Sequence, residues 1–227
     1  MNAERPRAAM ILAAGRGERM RPLTDQTPKP LLRVHGQPLI ERHIVGLVAA
    51  GINRIVINVA WLGAQIRDYL GDGARLGAQI SYSEESPRAL ETGGGVFRAL
   101  PWLAPGPFAV VNGDIYTEFP FATLALRADA DAHLVMVPNP PYLQGDFGLA
   151  HGAALVPGSP DAMQLYTFGC IAVYRPAFFA GCVDGVFPMK PLWLRCMAAR
   201  RCSAELYAGA WEDVGTPARL AALNGQG

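Results

Sequence analysis

An unbroken apolar run, Ala8-Ala9-Met10-Ile11-Leu12-Ala13-Ala14, leads directly into Gly15-Arg16-Gly17. A short apolar segment bounded by turn glycines has the pattern of a strand buried on both faces, and such strands belong to α/β sheets covered by helices. The glycines allow the backbone to approach a ligand and to aim N–H groups at it. Arg16, Arg21 and Lys29 add three cations in the segment that follows. Backbone donors combined with guanidinium and ammonium groups suit a polyphosphate, so a nucleoside triphosphate site is expected at the end of the first strand.

Two common phosphate motifs are excluded. The dinucleotide fingerprint requires a third small residue where this chain has Met20, which disfavours a nicotinamide-dependent dehydrogenase. No Gly-Lys-Ser or Gly-Lys-Thr occurs, so an ATPase-type P-loop is absent.

Downstream, helical and extended patterns alternate. Gln37 to Gly51 places Leu39, Ile40, His43, Ile44, Leu47 and Val48 on one helical face. Residues 54–59 and 79–83 are expected strands, 64–70 and 92–100 helices, and 108–112 a central strand. This order predicts an α/β fold with a Rossmann-like, mostly parallel central sheet and helices on both faces. After about residue 131 the pattern changes. Residues 132–137 and 164–174 are expected strands, 176–179 a helical turn and 192–200 a helix, while the Pro- and Gly-rich stretch 138–160 is expected to loop over the sheet edge. With no linker, repeat or low-complexity segment, residues 1–227 are expected to form a single domain: about 1–130 for nucleotide binding and about 131–227 for the second substrate.

The 227 residues carry a formal net charge of +1, which gives no general attraction to nucleic acid or an anionic membrane. No apolar stretch approaches the roughly 18 residues of a membrane span, and the N-terminal run is too short for a signal peptide, so a cytoplasmic location is expected. Cys170, Cys182, Cys196 and Cys202 form no Cys-x-x-Cys pair and are expected to be free thiols. The length is compatible with a monomer.

Asp114 follows the apolar strand that ends in Asn112-Gly113, a place where ligands bind in open α/β sheets. A carboxylate there can hold Mg²⁺ against phosphates. Asp213, after Trp211-Glu212, ends another expected strand and is the second candidate. Glu212 should face the opposite way on extended chain.

Leu12-Ala13-Ala14-Gly15-x-Gly17-x-Arg19-Met20-Arg21-Pro22-Leu23-Thr24, followed by Thr27-Pro28-Lys29-Pro30-Leu31, resembles the double signature of the sugar-1-phosphate nucleotidyltransferases. The resemblance extends from Ala9 nearly to the C-terminus through Asn58-x-Ala60-Trp61-Leu62-Gly63, Leu90-Glu91-Thr92-Gly93-Gly94-Gly95, Val111-Asn112-Gly113-Asp114 and Trp211-x-Asp213-Val214-Gly215-Thr216. Within that family it is most similar to the N-acetylmuramate α-1-phosphate uridylyltransferases of cell-wall recycling. The resemblance implies a nucleotidyltransferase fold and Mg²⁺-dependent transfer of UMP from UTP to a sugar 1-phosphate. Asp114 and Asp213 would be the metal pair. Arg21 would stabilise the α-phosphate and leaving group, and Lys29 would meet the α-phosphate and the incoming phosphate. Ala13, Ala14, Gly15, Arg16 and Gly17 would contact the nucleotide. Glu91 would read the base, with Gly93 and Gly94 letting the base lie close to backbone. A carboxylate accepts hydrogen bonds only, so Glu91 favours uracil or thymine, whose N3–H donates, over cytosine. Asn112, Asp146 and Lys190 would bind the sugar phosphate.

Two departures touch the acceptor side. Relatives place a glycine where Cys170 stands in Gly169-Cys170-Ile171, and carry Pro-Glu-Gly near Glu84-Glu85-Ser86. Alternatives therefore stay open: another hexose 1-phosphate, mannose or glucose, with GTP or dTTP, or a non-catalytic sugar-nucleotide sensor.

Overall fold

The computed structural model describes residues 3–86 and 89–225. Its centre is a nine-stranded sheet. β1 (Ala8–Leu12), β2 (Arg54–Val59), β3 (Gln79–Glu84) and β4 (Phe108–Asn112) lie in the order β3-β2-β1-β4, all parallel. The crossovers are helical: α1 (Leu39–Ala49), α2 (Gly63–Leu70) and α3 (Glu91–Leu103). Gly51, at φ +82°, takes the chain out of α1 in a left-handed conformation that a side chain would oppose.

The second half of the sheet has a different plan. It contains β5 (Ala132–Val137), β6 (Phe147–Ala150), β7 (Ala153–Leu155), β8 (Leu165–Tyr174) and β9 (Cys202–Leu206). β8 runs antiparallel to both β4 and β5, β5 and β9 are parallel, and the β6–β7 hairpin bridges the start of β8 to β9. The sheet is therefore mixed rather than mostly parallel. Parallel neighbours need a crossover of a dozen or more residues, usually a helix, and among the described residues no α-helix lies between β4 and β8. Antiparallel strands need only short turns, and this half uses them. The hairpin also corrects the expectation of a structureless loop over residues 138–160.

Strand alternation divides the core between two faces. Ile11, Ile57, Val111 and Ile171 pack with Ile40, Ile44 and Leu47 of α1 and with Ile66 and Leu70 of α2. Met10, Val56, Val110 and Ala172 pack on the other side with Val96, Ala99 and Leu103 of α3 and with Cys196 and Met197 of α4 (Lys190–Ala198). Each fully buried Ile or Leu contributes about 1.5–3 kcal/mol. Helices thus cover both faces.

A smaller cluster matters for the site. Met20, Leu32, Val34, Leu39, Tyr116 and Val214 are buried together, with Leu220 and Leu223 of α5 (Pro217–Leu223) against them. It fastens the glycine loop, the Lys29 segment and the chain's last helix to one another. Beside it Trp211–Asp213 pairs antiparallel with Ile115–Thr117, which sets Asp213 opposite Ile115 and next to Asp114. No helix among the described residues is long and apolar enough to cross a membrane.

Candidate active site

A cleft of about 360 Å³ opens beyond the C-terminal ends of β1 and β4. Parallel strands deliver their carboxyl ends there and the chain turns away, leaving room for a ligand. Leu12, Ala13, Ala14, Gly15 and Gly17 form one wall, and Glu18, Arg19 and Met20 continue it. Lys29, Pro30, Asn112, Asp114 and Gly215 form a second, and Asn58, Glu85, Ala89, Glu91 and Thr92 a third. Gly17 enters the Glu18–Met20 turn with φ +69°, a left-handed conformation that glycine adopts without strain.

Lys29 lies at the centre of the charged side. Its ammonium donates to Asp114 Oδ2 at 2.6 Å and lies 3.9 Å from Asp213 Oδ1. The Lys29 side chain is only 8% exposed, which holds it fixed between the two carboxylates. Lys29, Asp114 and Asp213, far apart in the sequence, are thus brought together. Arg19 Nη2 reaches to 3.9 Å from Asp213 Oδ2.

The structure separates Arg19 from the other two loop arginines. Arg16 donates to Thr24 O at 2.8 Å and to Asp25 Oδ1 at 2.6 Å, and its guanidinium lies over the Trp61 ring. Arg21 Nε pairs with the same Asp25 oxygen at 2.9 Å. Hydrogen bonding to Arg16, with both guanidinium charges, holds the Asp25 carboxyl below the usual range. Neither Arg16 nor Arg21 lines the cleft; Arg19, to which the motif alone assigns no role, does. The cause is local. The single turn at Glu18–Met20 directs Arg19 into the cleft, and the extended residue after it, Arg21, points elsewhere.

Glu91 and Thr92 at the start of α3 face the cleft, with Glu91 at φ +59°. Gly93 and Gly94 do not face it. A Cβ on Gly93 would lie 2.5 Å from the Phe187 ring, and one on Gly94 would lie 2.1 Å from Gly185 O. These glycines admit the 185–187 segment against the helix. Glu85 is a further cleft carboxylate, within the Glu84-Glu85-Ser86 stretch that departs from the family pattern. It is buried, and its Oε1 accepts from Asn58 Nδ2 at 2.7 Å while Oε2 accepts from Leu90 N at 2.7 Å. Asn58 Oδ1 in turn accepts from Ala13 N at 2.7 Å. This buried network ties the glycine loop to the segment that carries Glu91. Its sequence signal was Asn58 at the end of an apolar strand, where a polar side chain needs a partner.

Of the acceptor-side candidates, Asn112 lines the cleft, whereas Asp146 and Lys190 lie apart from its lining. Asp146 Oδ2 accepts from Phe168 N at 2.9 Å, beside a register shift in the β5–β8 pairing. Cys170 occupies that irregular stretch at φ +60°, a left-handed conformation that favours glycine, and burial followed by the Asp114 and Asp213 charges pushes its thiol well above the usual range. Lys190 is exposed in the first turn of α4. Glu212, expected to point away from Asp213, accepts from the Tyr142 hydroxyl; burial and that carboxylate push the phenol up to about 12, so it remains a donor. All four cysteines are free.

A divalent cation fits this set. Asp114 Oδ1 makes no hydrogen bond among the described residues, and Asp213 Oδ1 has only the Lys29 ammonium at 3.9 Å. No group of three His, Cys, Asp or Glu side chains gathers among those residues. A cation here would draw its other oxygens from phosphates and water, which is how Mg²⁺ is commonly held.

A nucleotidyl transferase family model matches residues 8–153. The chain is 48% identical over 219 residues to an N-acetylmuramate alpha-1-phosphate uridylyltransferase of Neisseria meningitidis serogroup B, covering 93% of this chain and 94% of that protein. It is 35% identical to the protein of the same name from Caulobacter vibrioides, covering 97% of each. Among solved structures, the inositol-1-phosphate CTP transferase from T. maritima superposes with a TM-score of 0.77 at 16% identity, over 99% of this chain and 97% of that one. HddC from Yersinia pseudotuberculosis, complexed with GMP-PN, gives 0.74 at 19% identity, over 96% and 98%. These two likenesses are of fold. With a family model spanning more than half of its residues and relatives aligned along nearly its whole length, this chain belongs to the nucleotidyl transferases, among the sugar-1-phosphate nucleotidyltransferases.

Proposed function

We propose that this protein transfers UMP from UTP to N-acetylmuramic acid 1-phosphate, giving UDP-N-acetylmuramate and pyrophosphate. The observation that carries this reading is the 48% identity, along nearly the full length of both chains, to a protein named for that activity. The cleft has the parts such chemistry needs. An oxygen of the sugar phosphate attacks the α-phosphorus of UTP, and the bond from that phosphorus to the β-phosphate bridging oxygen breaks. The nucleophile is already anionic near neutral pH, so alignment and charge neutralisation do most of the work.

Lys29 is placed to bring the two phosphates together, because its ammonium is fixed at the floor of the cleft beside both aspartates. Arg19 takes the role first expected of Arg21, stabilising the departing pyrophosphate. Arg16 and Arg21 instead brace the loop through Asp25. Ala13, Ala14, Gly15 and Gly17 supply backbone contacts to the nucleotide. Glu91, with Glu85 behind it, offers acceptors to the uracil N3–H; Gly93 and Gly94 support the helix start. Asp114 and Asp213 would hold Mg²⁺, which supplies charge neutralisation at the phosphates when bound. Asn112, Asp146 and Lys190 lie on the acceptor side, Asp146 through its hold on the β8 backbone. The whole chain acts as one catalytic domain in the cytoplasm, serving peptidoglycan recycling.

The test is pyrophosphate release with Mg²⁺ across UTP, dTTP, CTP, GTP and ATP against N-acetylmuramate, N-acetylglucosamine, glucose and mannose 1-phosphates. Turnover is expected with UTP and N-acetylmuramate 1-phosphate and should vanish in Asp114→Asn. A preference for another pair would move the error to Glu91 and Glu85 or to the region of Cys170. No turnover with any pair would turn the reading toward a sugar-nucleotide sensor.

A further inference from the structure

Asp213 is held from behind by a cation that has no place in the cleft. Arg219, in the first turn of α5, donates from Nη1 to Asp213 Oδ2 at 2.8 Å and to Asp213 O at 2.9 Å. Thr216 Oγ1 caps that turn by accepting from Arg219 N at 3.3 Å. The guanidinium carbon lies 3.8 Å from the centroid of the Tyr142 ring, and the Tyr142 hydroxyl donates to Glu212. Arg219 is thus clamped between a carboxylate and an aromatic face, and both it and Asp213 are only about one-fifth exposed.

The local charges then do not favour a bare cation. Two carboxylates, Asp114 and Asp213, face three positive groups: Lys29, Arg19 and Arg219. Lys29 and Arg19 line the cleft, where phosphates would meet them; Arg219 does not. A dication entering beside Asp213 Oδ1 would be repelled by the guanidinium fixed on Oδ2 of the same carboxylate. A polyphosphate, arriving with the cation, would reverse the balance.

We propose that Arg219 is a counter-charge that keeps the Asp114–Asp213 pair from retaining a free divalent cation, so that the cation is taken up only together with a nucleoside polyphosphate. Tyr142, carried by the segment between β5 and β6 in the acceptor half, holds that counter-charge in place. This rests on the nucleotidyl-transfer reading of the cleft and adds how the site is loaded.

Direct binding of Mn²⁺, followed by the EPR signal of the free ion, tests it on the full chain without turnover. The wild-type protein is expected to bind Mn²⁺ weakly alone and, with α,β-methylene UTP, to remove far more of the free-ion signal than the same concentration of the analogue removes without protein. Arg219→Gln is expected to bind Mn²⁺ alone more tightly, by a factor on the order of ten. Arg219→Lys, which keeps the charge, should stay near wild type and serves if the Gln variant does not fold. Tyr142→Ala should give a smaller gain and Tyr142→Phe, which keeps the ring, none. Loss of a merely structural contact would weaken binding, so a gain is the distinguishing sign. Arg219→Gln equal to or weaker than wild type would overturn the proposal. Asp213→Asn separates the two levels: if it leaves Mn²⁺ uptake with the UTP analogue unchanged, the metal assignment itself fails. If it abolishes that uptake while Arg219→Gln gains nothing, only the counter-charge fails.

Discussion

Arg19 and Arg21 stand two positions apart in one motif and have different surroundings. Arg19 opens onto the cleft near Asp213, whereas Arg21 is spent on Asp25 together with Arg16. A cation aimed at developing phosphate charge acts in the transition state, and removing one such group costs about a hundredfold or more in turnover. Arg19→Ala should therefore lower kcat by about a hundredfold, and Arg21→Ala by no more than about threefold. Steady-state kinetics on the two variants decides it; an equally steep loss in Arg21→Ala would return the role to Arg21 and require the loop to rearrange. The motif told that cations were needed here. It did not tell which one turns inward, because that depends on a single helical turn and on where Asp25 lies.

At the level of elements, the parallel half was legible because each strand is an apolar run and each helix an amphipathic one. The strands β1, β2 and β4 and the helix α1 lie where their patterns placed them. The β6–β7 hairpin, β9 and α5 were not. Phe147-Gly148-Leu149-Ala150 is too short and glycine-interrupted to show a period, and Cys202-Ser203-Ala204-Glu205-Leu206 becomes a strand by pairing with β5, many residues away. The start of α3 carries a prediction of its own. Its Gly94 faces the backbone oxygen of Gly185, which cannot retreat as a side-chain end would. Gly94→Ala should destabilise the protein by about 1–3 kcal/mol, seen as a melting temperature several degrees lower. An unchanged melting temperature would show that the 185–187 segment yields.

At the scale of the whole molecule, one buried group links the fold to pH. His43 of α1 is buried beside the Phe121 ring, and its Nε2 donates to Ile115 O at 3.1 Å. Burial lowers its pKa from 6.5 to about 4. The unfolded chain therefore binds the proton more readily, so the stabilisation is complete above about pH 6.5 and is lost as pH falls toward 4. The shift amounts to about 3 kcal/mol. Urea unfolding of wild type and His43→Gln, compared at about pH 7 and about pH 4, should show a smaller acid loss in the variant by that order. Equal losses would mean that His43 is protonated in the folded state. The sequence by itself determined the first strand, its glycine turn, the cations and the two aspartates, and through them the family, because each is a local pattern of residue type and spacing. Only the tertiary structure decided that the sheet turns antiparallel at β8, that Lys29 lies between Asp114 and Asp213, that Arg19 and Glu85 line the cleft, and that Arg219 holds Asp213. Those outcomes depend on pairings between distant segments and on which neighbour a charged side chain meets first, and no local pattern records either.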